Sequence, residues 1–422
     1  MEMHPFGRLT PVAVARHRLM DSIRPVDRTE RIPVVEAFGR VAAEEVRAPR
    51  PVPGFARTTW DGYAVRSRDT RTARSGRPVE LKVVGQVYPE TTFPRRLAAG
   101  EAVAMATGGA IPRGADSVVI FEEVEATDDR VRLFRPVPVG DRISPPGHDF
   151  PRGARLAERG RELGPVSLGA IAACGLPTVR VFSRPVVAVI PNGNELLRAG
   201  AAEGPGRIFE SNNATLASVI TAAGAVPRPQ DPVPDDPDVI ERSIRAALDS
   251  ADLVLATGGS SVGERDHLPR ILPRLGTLLF HGIAVRAGKP TLAARCGRKV
   301  VLGLPGHPTS CLVNMYWLVL PALRRLGHRP GPGFTPGYAV LGSPAVAPSP
   351  GLATVVPLRF HGGRAYTTYR GSSVITSLKG ATAFALLPPG RRAVPKGTRI
   401  RVFYLDPPLG PPVGPGGSTA NG

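Results

Sequence analysis

Between residues 184 and 328, short apolar runs alternate with longer amphipathic ones, and three of the apolar runs end in glycine-rich polar loops. "PVVAVIP", "DLVLAT" and "KVVLGLP" have the length of strands, while "NNATLASVITAAGA", "DVIERSIRAALDSA" and "TSCLVNMYWLVLPALRRLG" have that of helices. Strands alternating with helices at these lengths predict a parallel, doubly wound sheet. The loops are "PNGNEL" (191–196), "TGGSSVGERD" (257–266) and "GLPGHPTS" (303–310). Ligands of open α/β sheets bind outside the carboxyl ends of the strands, so three such ends on one edge form one pocket.

Backbone N–H groups at the helix starts, Thr309 and Ser310 for example, are expected to face an anion. Glu195 and Asp266 then offer two carboxylates beside a phosphate, which is how Mg2+ is usually held. The alternative is that the glycines make tight turns and the carboxylates cap helices. No standard nucleotide motif is present. "AGKPT" (287–291) has Pro290 where a phosphate-binding loop needs Ser or Thr, and no GxGxxG follows a strand.

Elsewhere the rhythm differs. "PVAVARHRLMDSI" (11–23) is spaced as an amphipathic helix, and 46–137 breaks into short β-like runs split by Pro and Gly. There "TTWDGYAV" (58–65) sets Asp61 in a turn, "MATGGAIPRGADSVV" sets Thr107 beside two glycines, and "GHDF" (147–150) sets His148 and Asp149 in a loop. "GPVSLGAIAACGL" reads as a helix. After a Pro/Gly linker at 327–338 only strand-like pieces remain, and the tail from Asp406 is expected to be disordered.

Composition limits the classes of function. The formal charge is +19, but no run of five like charges and no basic helix interleaved with aromatics occurs, so specific nucleic-acid binding is disfavoured. Five of the 54 basic residues are lysines: Lys82, Lys289, Lys299, Lys379 and Lys396. The three cysteines lack metal-binding spacing and fit a reducing cytoplasm. "MEMHPFGRLTP" has no apolar signal core, and the longest apolar stretch, "CLVNMYWLVLPAL", is too short to span a bilayer and reads as a buried helix.

Seven segments occur in the order seen in the molybdopterin molybdenumtransferases, the MoeA/gephyrin family. They are "TTWDGYAVRSRDT", "MATGGAIPRGADSVVIFEE", "GHDFPRGARLAERGRELGP", "PVVAVIPNGNELL", "ATGGSSVGERDHL", "VRAGKPT" and "VLGLPGHPTSC"; "RGSSVITSLKGATAFALLP" (370–388) resembles the family's C-terminal β domain. The resemblance implies a multidomain α/β fold. Residues 1–46 with 144–183 would form a small, discontinuous helical linking domain, and 47–143 a β-rich inserted module. Residues 184–328 would form a MogA-like doubly wound α/β domain, 329–405 a C-terminal β-barrel-like domain, and 406–422 the tail.

The resemblance also implies a homodimer whose active site lies between the α/β domain of one subunit and the β-rich module of the other. The substrates would be adenylylated molybdopterin and molybdate, with Mg2+ as cofactor and AMP released. A transient contact with a molybdopterin adenylyltransferase is compatible with it; a membrane is not. Asp61, Glu195 and Asp266 would be catalytic, with Glu195 and Asp266 on the metal. Thr107, Asp149, Gly258, Gly259, Ser260, Lys289, Pro305, Gly306, Pro308, Ser310 and Ser372 would bind substrate.

The chain departs from the family's usual pattern at three places. Asn192-Gly193-Asn194-Glu195 stands for Thr-Gly-Asp-Glu, Gly306-His307-Pro308 for Gly-Asn-Pro, and Trp60 for Met. Loss of a carboxylate at 194 is expected to weaken a cation site, and His307 adds a side chain of the type that titrates near neutral pH. A divergent paralogue, with altered metal preference or a cofactor-binding or scaffold role, is therefore the rival reading.

Overall fold

The computed structural model describes residues 7–347 and 351–409. The region 184–328 forms a six-stranded sheet in the order 226–229, 186–191, 253–257, 299–304, 292–296, 277–281. The first four strands are parallel. Leu292–Cys296 runs antiparallel to both of its neighbours, so the sheet is mixed rather than parallel throughout. The physical reason is the link between Leu292–Cys296 and Lys299–Leu304. Two residues, Gly297 at φ +61° and Arg298, join them, and so short a turn joins only antiparallel strands.

Strand alternation sends side chains to both faces. Val187, Val189, Leu253, Leu255, Val300 and Leu302 enter one core with the helix Asn212–Ala222 and the long helix from Pro308. Ala188, Ile190, Val254, Ala256 and Val301 enter a second core with the helices Pro237–Ser250 and Leu268–Leu275. The helix expected over 11–23 spans Val12–Ser22, and its Ala15 and Leu19 join the first core. The apolar stretch from Cys311 is indeed a buried helix, interrupted by a π turn at Met315–Val319.

Two further β units flank this sheet. Six strands between Gly62 and Leu133 form one sheet. In the C-terminal unit, five strands pair around a closed ring: Phe334–Leu341, Arg399–Leu405, Ala383–Leu387, Ala353–His361 and Arg364–Thr367. Ala353 and Thr354 also pair with Val285–Arg286, which ties this ring to the α/β unit. Thr29–Pro33 pairs with Thr178–Phe182, and Val46–Arg47 with Arg155–Ala157, so the chain entering the inserted module lies beside the chain leaving it. At the C-terminal end, Leu409 packs on the first core and Tyr316 Oη donates to the Pro407 carbonyl at 2.9 Å. The rest of the expected disordered tail, 410–422, and the start of the N-terminal stretch, 1–6, lie outside the described residues. No helix among the described residues is long and apolar enough to cross a membrane.

Candidate functional site

The three glycine-rich loops meet because their strands end together and are stitched by backbone bonds. Asn192 N–H donates to the Thr257 carbonyl at 2.7 Å, and Gly258 N–H to the Leu304 carbonyl at 3.1 Å. Gly258 sits at φ +82°, and a Cβ there would lie 2.3 Å from the Asn192 carbonyl oxygen. Its glycine is thus required by a neighbouring loop, as a tight turn demands. Gly259, at φ +61°, keeps its face open: the atom nearest to where its Cβ would stand is 3.8 Å away.

Between the loops lies a cavity of about 710 Å3. Glu195 and Asp266 both line it, as do Gly258, Gly259 and Ser260 of the second loop and Pro305, Gly306 and Pro308 of the third. Asp266 accepts N–H bonds from Ser261 at 2.9 Å and Gly263 at 2.8 Å, folding its loop back on itself. Gly193, at φ +156°, leaves room for the Glu195 carboxylate, whose oxygens lie 2.7 and 2.8 Å from where a Cβ would stand.

Other expected residues fall elsewhere. Ser310 is buried just inside the helix, and Ser373 rather than Ser372 reaches the cavity wall. Thr309 does not present a free N–H to an anion: it donates to the Ser372 carbonyl at 3.1 Å, and its hydroxyl donates to the Val374 carbonyl at 2.7 Å. The C-terminal unit thereby seals that helix start. His307 lines the cavity, with Nδ1 3.5 Å from Ser372 Oγ. Lys289 is exposed beside Pro290, which is part of the lining. Asn194 is not in the wall; its Oδ1 accepts the Asp235 N–H at 3.1 Å, and its own N–H donates to Asp235 Oδ2 at 3.2 Å.

Asp61 and Thr107 are brought together, but away from this cavity, on the inserted module. The Asp61 carboxylate accepts from Thr107 N–H at 2.6 Å and Thr107 Oγ1 at 2.8 Å, and these bonds hold its pKa below the ordinary carboxylate value. Asp149 is exposed, its N–H donating to the Val52 carbonyl at 3.0 Å.

Four polar residues near the site have no place in the expected set. Glu210 lines the cavity and accepts from Asn212 N–H at 2.6 Å and Asn213 N–H at 3.0 Å. Burial pushes its carboxyl pKa up, against the pull of those donors. A carboxylate just before an Asn-led helix is a capping signal, and that signal marks Glu210 in the sequence. Asn212 Nδ2 donates to the Gly306 carbonyl at 2.9 Å, linking the third loop to its neighbour. Asn192 also lines the cavity, and both polar atoms of its buried side chain have no partner. Burial pushes the His281 imidazole pKa down, against the opposite pull of the Ser260 and Ser261 backbone and the Asp266 charge. Nothing in the local sequence marks His281.

The donor set suits a hard cation sharing its shell with phosphates. Three carboxylates, Glu195, Glu210 and Asp266, line one cavity, Glu210 being engaged by the Asn212 and Asn213 N–H groups, and among the described residues no group of three or more His, Cys, Asp or Glu forms a metal cage. Mg2+ is typically held by one or two carboxylates plus ligand oxygens and water, so the residues fit it.

A mixed α/β sheet with a carboxylate-bearing cavity at the carboxyl ends of its parallel strands defines a strand-end ligand-binding protein with appended β units. Residues 10–175 match the MoeA N-terminal region (domain I and II), and residues 188–325 match a probable molybdopterin binding domain. The molybdopterin molybdenumtransferase of Bacillus subtilis is 32% identical over 386 residues, 89% of this chain and 90% of its own length. That of Haemophilus influenzae is 32% identical over 74% of this chain and 76% of its own. The molybdopterin biosynthesis moeA protein of Pyrococcus horikoshii OT3 superposes with a TM-score of 0.80 at 28% identity, covering 94% of this chain and 100% of that one. The chain belongs to the molybdopterin molybdenumtransferase family, the MoeA/gephyrin family.

Proposed function

We propose that the chain inserts molybdate into adenylylated molybdopterin with Mg2+-dependent release of AMP, yielding molybdenum cofactor. The observation that carries this reading is the cavity itself, where Glu195 and Asp266 line the meeting point of three glycine-rich strand ends. In the reaction water attacks the phosphoanhydride of the adenylylated pterin, the bridging P–O bond breaks, and AMP leaves with a monophosphate remaining on the pterin; the two dithiol sulfurs displace oxygens of molybdate, which depart as water with the thiol protons. Glu195 and Asp266 would hold Mg2+, which neutralises phosphate charge and polarises the scissile P–O bond. Asp266 is pre-oriented by Ser261 and Gly263, so its carboxylate needs little rearrangement on binding. Lys289 and loop N–H groups would bind the anions.

The Asp61–Thr107 pair lies on a different unit from the cavity, which supports a homodimer in which one subunit's inserted module completes its partner's site. Trp60, next to Asp61 in the chain, is 55% exposed, an apolar side chain that suits burial against ligand or subunit. Light scattering should give a dimer; a stable species of 44.5 kDa at assay concentration overturns this. The reducing cysteine usage supports a cytoplasmic setting, where a molybdopterin adenylyltransferase would supply the substrate.

The test is an assay of purified protein with adenylylated molybdopterin, molybdate and Mg2+, following AMP and the metallated pterin. Both products should appear, and only with Mg2+. Tight substrate binding without AMP release assigns the chain to the scaffold role. Turnover with tungstate but not molybdate changes the metal.

A further inference from the structure

The long helix from Pro308 changes its hydrogen-bond rhythm immediately after Asn314, where the π turn Met315–Val319 begins. Single π turns inside α-helices occur frequently at functional sites. Asn314 is 1% exposed and stands in an otherwise apolar wall. Its Nδ2 donates to the Gly288 carbonyl at 3.0 Å and to Thr291 Oγ1 at 2.6 Å, and that hydroxyl in turn donates to the Gly288 carbonyl at 2.8 Å.

Gly288 has φ +111°, and a Cβ there would lie 2.1 Å from Asn314 Nδ2. The carboxamide therefore fills the space a side chain at 288 would need. From the other side, the Lys289 carbonyl accepts N–H bonds from Ile283 and Thr291, each at 2.9 Å. Just upstream, Val285–Arg286 is paired into the C-terminal ring. The segment carrying Lys289 is thus clamped at both flanks, and Asn314 is the clamp beneath it.

Asn314 Oδ1 is buried without a partner. An orphaned acceptor is destabilising, and a leucine of similar shape would remove it. Retaining the amide makes sense where its donor is needed.

We propose that Asn314 is a positioning residue that fixes Lys289 and Pro290 at the cavity rim. The value of that position to catalysis rests on the function proposed above; the positioning itself does not.

The test uses the full chain with Asn314→Leu, Lys289→Met and the double variant. First, acetylation of the five lysines by acetic anhydride is followed by peptide mass spectrometry, with Lys299 as internal reference. Asn314→Leu should change the relative rate at Lys289 by about threefold or more, as expected when a supporting partner is lost. An unchanged ratio overturns the proposal. Second, AMP binding with Mg2+ is measured by calorimetry. Asn314→Leu should weaken it about tenfold when Lys289 is present and by less than about twofold in Lys289→Met, the non-additivity of residues acting through one another. Equal factors in both backgrounds mean a merely structural role and overturn it. If wild type does not bind AMP while the Lys289 rate still shifts, the positioning stands and the functional reading falls.

Discussion

The Asp61 carboxylate takes both of the hydrogen bonds that Thr107 can offer it, one from the main chain at 2.6 Å and one from the hydroxyl at 2.8 Å. Donors aimed at a carboxylate favour its charged form, so the Asp61 pKa lies below the usual value. A depressed folded-state pKa contributes stability that is present above the unfolded value and is lost as pH falls through the folded one. Thr107→Val should therefore raise the Asp61 pKa, read by carboxyl NMR titration. Its stability deficit relative to wild type should be present at neutral pH and shrink below the carboxylate range. A deficit that grows on acidification would contradict the pair.

Asp266 and Glu195 line the same cavity but differ in support. Asp266 accepts two backbone N–H bonds, so Asp266→Asn should both loosen the 257–266 loop and reduce AMP release by about a hundredfold, the scale of losing a pre-organised electrostatic group. Glu195 is exposed, so Glu195→Gln should reduce AMP release to a similar degree with no change in thermal midpoint. Wild-type turnover in either folded variant removes that carboxylate from the mechanism.

Gly258 and Gly259 separate a turn from a ligand face. A side chain at 258 would collide with the Asn192 carbonyl, whereas one at 259 meets nothing close. Gly258→Ala should destabilise the fold by well over the ~1–2 kcal/mol that a left-handed residue costs without a clash. Gly259→Ala should show only that smaller loss and instead weaken substrate binding. Chemical denaturation beside calorimetry distinguishes them.

The Asn194 departure should matter less than its place in the motif suggests. Its amide braces Asp235 rather than the cavity. Asn194→Asp should leave the Mg2+ concentration for half-maximal AMP release within about twofold of wild type, because a charge outside the cation's shell is worth much less than the ~1.4 kcal/mol of a decade. A tenfold tightening would show that residue 194 reaches the metal.

Thr309 joins two units through its hydroxyl on Val374 and its N–H on Ser372. Thr309→Val keeps shape and removes one hydrogen bond, so unfolding should lose about 1 kcal/mol. An unchanged midpoint would mean the junction does not depend on it.

The sequence by itself determined the local elements and the edge on which chemistry would gather. Periodicity located the strands 186–191, 253–257 and 299–304, the helices Asn212–Ala222 and Pro237–Ser250 and the long helix from Pro308, because it reports a residue's face to its own neighbours; it did not mark the short helix Leu268–Leu275. Glycine-rich ends on those strands predicted one shared pocket, and Glu195 and Asp266 do line one cavity. Tertiary structure decided what local pattern does not encode. The antiparallel strand of the sheet followed from a two-residue turn and its partners, not from hydrophobic spacing. Gly258 proved to serve Asn192, Thr309 the C-terminal unit, and Asn194 the segment at Asp235. Asn314 reads in sequence as a polar interruption of an apolar helix, yet its partners Gly288 and Thr291 are 26 and 23 residues away. Hydrogen bonds across such separations are set by how whole elements pack, and only the folded chain brings donor and acceptor within about 3 Å.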